Sequence, residues 1–202
     1  MKGRCKMRGI DVSDNNGFVN WQEIAEAGIE FAIVACSYGK SGRHDRFLEN
    51  VNGAHAAGLK VGAYHYSYAL TPEDALEEAR NCKSAIEEAG ILLELPVFFD
   101  MEDADHWKER HGFDFSNENI TAICKMFLDN IGLDCGIYAS LSWLENLIDW
   151  KSLNCAVWNA EWITPGEDPD AFPNGDSIKG YMWQYTDKLI IGDKEFDGDV
   201  LY

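Results

Sequence analysis

Short apolar runs alternate with longer helical patterns along the first two-thirds of the chain, and that alternation constrains the fold more than any other feature. Strand-like runs occupy residues 9–12, 31–37, 61–67, 96–100, 136–140, 156–160, 181–185 and 196–201. Helical patterns fill residues 21–27, 46–57, 72–89 and 116–131. Thr71 ahead of Pro72 reads as an N-cap followed by proline at the first helical position, while Gly58 and Gly90 stand where helices stop. Strands separated by helices pair in parallel through right-handed crossovers. Eight strands in 202 residues therefore predict an α/β fold, an irregular TIM-like barrel in a single domain, helical early and plain β late. A doubly wound open sheet is the fallback, and no GxGxxG follows any strand to support it. Residues 1–7 read as an N-terminal extension, residues 8–202 as the barrel, and residues 164–176, rich in Pro, Gly and Asp, as a long surface loop.

Composition narrows the partners. Hydrophobic residues make up 46% and aromatics 12%, enough for a sizeable core. Seventeen Lys and Arg stand against 35 Asp and Glu, a net charge of −18 that repels a phosphate backbone, so no nucleic-acid partner is expected. No apolar run approaches the ~20 residues of a membrane span, so membrane insertion is not expected either. The opening MKGRCKMR is basic without a hydrophobic stretch after it, and no signal peptide is visible. Cys5, Cys36, Cys82, Cys124, Cys135 and Cys155 contain no CxxC and read as reduced, structural thiols rather than a disulfide framework.

The chemistry concentrates at strand ends. In Leu95-Pro96-Val97-Phe98-Phe99-Asp100-Met101-Glu102-Asp103 an apolar strand ends abruptly in acid, and strand alternation points Asp100 and Glu102 to one face. At the mouth of a barrel two neighbouring carboxylates cannot both ionise freely, which yields an acid beside a base, the division of labour that glycoside hydrolysis needs. A solvated acidic loop is the competing explanation. Asp11 ends the first strand, and Asp197 and Asp199 lie in the last; the two strands are neighbours in a closed barrel, which brings Asp11 near Asp197. Aromatics crowd other strand ends: Tyr64, Tyr66, Tyr68, Tyr138, Trp158, Trp162, Trp183 and Tyr185. Rings with polar tips complement both the faces and the edges of sugars, although core packing accounts for some of them. His65 reads as a hydrogen-bonded interior residue. No HExxH, EF-hand loop, P-loop or GxSxG is present, so neither a metal nor a cofactor is expected. A metal held by the Asp100–Glu102 pair ranks below a glycosidase.

With those residues in view, the chain resembles glycoside hydrolase family 25, the Chalaropsis-type lysozymes. The motifs run nearly end to end: GIDVSDNNGFVNW, GIEFAIVACSYG, Asp45–Asn50 as D-x-F-x-x-N, AAGLKVGAYHYSYA, PVFFDME, GIYASLSWL, VWNAEW, MWQYTD and EFDGDV. The resemblance implies five βα units followed by three strands, (β/α)5(β)3. It also implies muramidase activity on the β-1,4 bond between N-acetylmuramic acid and N-acetylglucosamine in peptidoglycan, with retention. Asp100 then either attacks directly or orients the substrate's own acetamido group, and the built-in nucleophile of that group favours the second. Matched by position, Glu102 is the general acid/base, Asp100 its companion, and Asp11 and Asp197 are supporting acids. Tyr64, Trp183 and Tyr185 match residues lining the sugar cleft; Tyr66, Tyr138 and Trp158 join them from the strand-end reading. Ala35 stands where many relatives carry Lys or Arg, and Asp199 and Glu161 replace a commoner Asn and Gln, changes expected to raise the Glu102 pKa. The expected setting is a monomer acting at the bacterial cell wall, in the manner of a phage or prophage endolysin made in the cytoplasm. A chitinase-like glycosidase and a non-catalytic glycan-binding barrel are the alternatives.

Overall fold

In the computed structural model, which describes residues 6–164, 166–171 and 177–202, the strand runs close into a barrel. Cys5, residues 1–5 of the extension, and residues 165 and 172–176 of the 164–176 loop lie outside the described residues. The elements run β1 (Met7–Val12), α1 (Trp21–Glu26), β2 (Phe31–Tyr38), a short β3 (Gly42–Arg43), α2 (Phe47–Ala56), β4 (Lys60–Tyr66), α3 (Pro72–Ala89), β5 (Val97–Asp100), α4 (Trp107–Arg110), α5 (Asn117–Ile131), β6 (Cys135–Ser140), α6 (Leu141–Asn146), α7 (Trp150–Leu153), β7 (Ala156–Ala160), β8 (Met182–Ile191) and β9 (Lys194–Leu201). Five strand–helix units precede three strands that, among the described residues, are joined by no α-helix and by one 3-10 turn at Pro169–Ala171, the (β/α)5(β)3 arrangement. Around the sheet the order is β1-β9-β8-β7-β6-β5-β4-β2, and β1 pairs back onto β2 to close it. Neighbours pair in parallel except at β9, which runs antiparallel to both β8 and β1.

A parallel strand covered on both faces reads as a continuous apolar run, and β2 does so, with Phe31 to Ser37 all buried. Phe31 and Ile33 point into the barrel, where they meet Phe98, Trp158, Met182 and Leu201. Ala32, Val34 and Cys36 face outward against Ala75, Ala79 and Cys82 of α3. The five described cysteines carry free thiols, three of them in this buried layer.

Among the described residues no α-helix covers β8 and β9. There Trp183, Tyr185 and Val200 form a separate outer cluster with Ile163 and Tyr202. The segment after β7 takes the place of the missing helix: Ile163 N–H donates to the Tyr185 carbonyl at 2.9 Å, and Trp183 Nε1 donates to the Glu161 carbonyl at 2.7 Å. Arg8 pairs with Asp168 and Asp170 and sits over the Tyr185 ring. This corrects the sequence reading of Trp183 and Tyr185 as cleft residues: the pleat turns both to the outer face and gives the inward position to Gln184. The helices α4, α6 and α7 were not expected from the sequence: α4 and α7, at four residues, are too short to show a helical period, and α6 follows β6 with no intervening loop.

The longest helix, α3, begins where the sequence placed it. Thr71 Oγ1 accepts from Asp74 N–H while the Asp74 carboxylate accepts from Leu70 and Thr71 N–H, and Gly90 ends the helix in the left-handed region at φ 63°. Thr71→Ala is expected to lower unfolding free energy by ~1 kcal/mol without changing the barrel mouth. Chemical denaturation with unchanged near-ultraviolet circular dichroism is the check.

Candidate active site

The C-terminal ends of the parallel strands define one mouth of the barrel. Because β9 is antiparallel, it delivers its beginning rather than its end there, and Asp197 pairs directly with Asp11 of β1. On β5, Asp100 lies level with Tyr66 of β4 and Tyr138 of β6. These side chains, with Glu102 just past β5, Tyr64, Trp158 and Gln184, line a cavity of about 250 Å³. It shares Tyr64 and Tyr66 with a neighbouring trough of about 450 Å³ that continues over Tyr38, Tyr68 and His44.

Asp11, Asp100, Glu102 and Asp197 thus converge on one cavity, and Tyr64, Tyr66, Tyr138 and Trp158 line it with them. Tyr64 and Tyr66 are half-buried and open onto the trough, whereas Trp158 is only 2% exposed and forms the floor. Trp162, 57% exposed, stands at the rim with its Nε1 on Gln184. His65 is fully buried and pairs through Nδ1 with Ser37 Oγ at 2.8 Å, an interior residue as expected.

Gln184 is the hub that sequence reasoning missed. Its Nε2 donates to Asp11 Oδ2 at 2.8 Å, and its Oε1 accepts from Tyr138 Oη at 2.9 Å and Trp162 Nε1 at 3.0 Å. Strict alternation along β8 points Gln184 inward with Met182, so the period-two signal was available. Lys108 was also missed. It is 1% exposed on α4, and its Nζ donates to the carbonyls of Ser67 and of Glu102, the latter at 2.7 Å.

Electrostatics separates the four acids. Burial pushes the Asp100 carboxyl well above the usual carboxylate range, Glu102 adds to the rise, and Lys108 opposes it; Asp100 Oδ1 is buried with no hydrogen-bond partner. Burial also raises Glu102, against Lys108 and with Asp105, Asp197 and Asp103. Asp11 is raised well by burial and by the charge of Asp197, with Gln184 opposing. Asp199 reaches the same cluster from beneath, fully buried, with Oδ1 accepting from Trp158 Nε1 at 2.9 Å. Burial and the charges of Asp11 and Asp197 push the Asp199 carboxyl well up, while Glu161 accepts from Ser177 Oγ and N–H. Carboxyls crowded in a poorly solvated mouth hold their protons to higher pH than free acids do, and an acid beside a carboxylate is what protonating a leaving oxygen requires. Among the described residues no group of three metal-ligating side chains is assembled.

Comparison with known proteins places this barrel and its acidic mouth. The family model for glycosyl hydrolases family 25 matches residues 10–194, and the chain belongs to that family. It is 26% identical over 200 residues to an autolytic lysozyme of Clostridium acetobutylicum, covering 92% of this chain and 58% of that protein. It is also 26% identical over 202 residues to lysozyme M1 of Streptomyces globisporus, covering 96% and 66%. The chain thus spans about six-tenths of the length of these curated relatives. Among solved structures, the modular autolysin LytC of Streptococcus pneumoniae, in complex with a synthetic peptidoglycan ligand, shares the fold with a TM-score of 0.82 at 20% identity, over 98% of this chain and 47% of that one.

The raised Asp199 carboxyl has a consequence for stability. Above the ordinary carboxylate range the folded chain keeps a proton that the unfolded chain has released, so stability falls as pH rises toward the folded-state pKa. Asp199→Asn keeps the acceptor for Trp158 and removes this cost. Its Tm is expected to exceed wild type by at least about 2–4 °C near pH 8 and to match it near pH 4 in thermal melts.

Proposed function

We propose that the chain is a lysozyme-type peptidoglycan hydrolase, an N-acetylmuramidase that cleaves the β-1,4 bond between N-acetylmuramic acid and N-acetylglucosamine at the bacterial cell wall. The observation that carries this reading is the pairing of buried Asp100 with half-buried Glu102 at the end of β5, opening onto a tyrosine-lined trough in a family 25 chain. Glu102 is the proton donor to the leaving glycosidic oxygen. Its burial and the charges of Asp105, Asp197 and Asp103 hold a proton there at pH values where a free glutamate has lost it.

Asp100 sits deeper, with Oδ1 lacking a donor. An acetamido N–H from an N-acetylated sugar supplies that donor. Held so, the acetamido carbonyl attacks the anomeric carbon as the glycosidic bond breaks, and Asp100 stabilises the positive charge that develops on the oxazolinium ring. Water then opens the ring with Glu102 as base, and the two displacements retain configuration. Tyr38, Tyr64, Tyr66 and Tyr68 offer ring faces along the trough and Trp162 one at the rim, which suits a chain of alternating sugars. The net charge of −18 disfavours adhesion to anionic walls, so recognition rests on this cleft.

Digestion of purified peptidoglycan, followed by borohydride reduction and mass spectrometry, tests the reading. Fragments ending in reduced muramic acid are expected, and Glu102→Gln should lower the rate by about 10²–10⁴-fold with the fold intact. Fragments ending in reduced glucosamine would make the enzyme a glucosaminidase. Glycan binding without any release would make it a non-catalytic barrel.

A further inference from the structure

Lys108 has no part in the mechanism above, yet it occupies the most constrained position of any cation near the mouth. It lies on α4, a four-residue helix that exists because acids in the preceding loop cap it: Asp103 accepts from Lys108 and Glu109 N–H at 2.7 and 3.0 Å, and Asp105 from Trp107 N–H at 2.9 Å. This folds the chain back on itself directly after Glu102. The Lys108 side chain then returns beneath the loop, with its ammonium 1% exposed and bound to the carbonyls of Ser67 and Glu102.

A buried ammonium needs compensating charge. From α3 comes Glu78, itself fully buried, whose Oε2 accepts from Ser67 Oγ at 2.8 Å and lies 3.6 Å from His65 Nε2. From β5 comes Asp100, from the loop Glu102 and Asp103, from α5 the Cys124 thiol, and from β4 the Tyr66 ring, whose centroid is 5.7 Å from Nζ. Lys108 therefore stands between a structural acid, Glu78, and the two acids of the cleft. Its hydrogen bond to the Glu102 carbonyl fixes the backbone that carries the proton donor.

We propose that Lys108 is a positioning residue for the Asp100–Glu102 pair, locking the turn after β5 through its bonds to the Ser67 and Glu102 carbonyls so that Glu102 faces the cleft, with its buried ammonium beside both acids. The proposal rests on the muramidase reading for the roles of the two acids. Its geometry predicts a sign: loss of the charge makes both carboxyls harder to ionise, so both limbs of the pH–rate profile move to higher pH.

The experiment compares wild type, Lys108→Arg, Lys108→Met and the charge-balanced double variant Lys108→Met/Glu78→Gln on purified peptidoglycan across pH, with folding checked by circular dichroism. The expected result for a folded Met variant is a fall in kcat of about tenfold or more, KM within about twofold, and an optimum higher by about one pH unit. Lys108→Arg should restore the wild-type optimum. Carbon-13 titration of the labelled carboxyls reads the same shift without turnover. A folded Met or double variant with an unmoved profile and unmoved carboxyl titrations overturns the proposal. So does failure of both to fold, which would make Lys108 a stability residue alone. An inactive wild type would instead remove the muramidase reading, while the carboxyl titrations would still decide the electrostatic half of the proposal.

Discussion

The mouth of this barrel depends on the antiparallel seating of β9 between β8 and β1. That strand closes the sheet, so no hydrogen-bonding edge is left at the seam. Its direction decides which residues reach the site. Run parallel, β9 would bring its far end, Val200 and Leu201, to the mouth. Run antiparallel, it sets Asp197 opposite Asp11 and Asp199 opposite Gln184. Two acids of the last strand thereby meet one of the first, and the inner face of the barrel turns from apolar to acidic within two residue levels.

Placing these carboxyls at the top of a packed interior is costly unless they find protons or donors. The structure supplies donors selectively. Gln184 serves Asp11 and Trp158 serves Asp199, while Lys108 offsets charge on Asp100 and Glu102. Asp100 Oδ1 receives none. Asp199 Oδ2 is likewise buried without a donor, so the unmet acceptors lie on Asp100 at the cleft and on Asp199 beneath it.

The eight barrel strands and the helices α1, α2, α3 and α5 were legible in the sequence because each carries a period, a cap or a stop. The convergence of Asp11, Asp100, Glu102 and Asp197 was legible too, since it follows from closure and from strand-end placement. The pleat in β8 was misread: two aromatics flanking Gln184 look like ligand contacts, and the absence of a covering helix disguised the outer face on which Trp183 and Tyr185 pack. Lys108 was illegible for a different reason. Its direction is set by a single turn held by Asp103 and Asp105, and no periodic pattern reports a four-residue helix.

The most direct measurement of the central claim is a crystal structure of Glu102→Gln bound to a peptidoglycan tetrasaccharide. The expected result places the residue 102 amide within hydrogen-bond reach of the scissile oxygen and the acetamido N–H of the adjacent sugar on Asp100 Oδ1, with neighbouring rings along Tyr64 and Tyr66. A glycan bound with its acetamido group turned away from Asp100, or its scissile bond remote from residue 102, would contradict it.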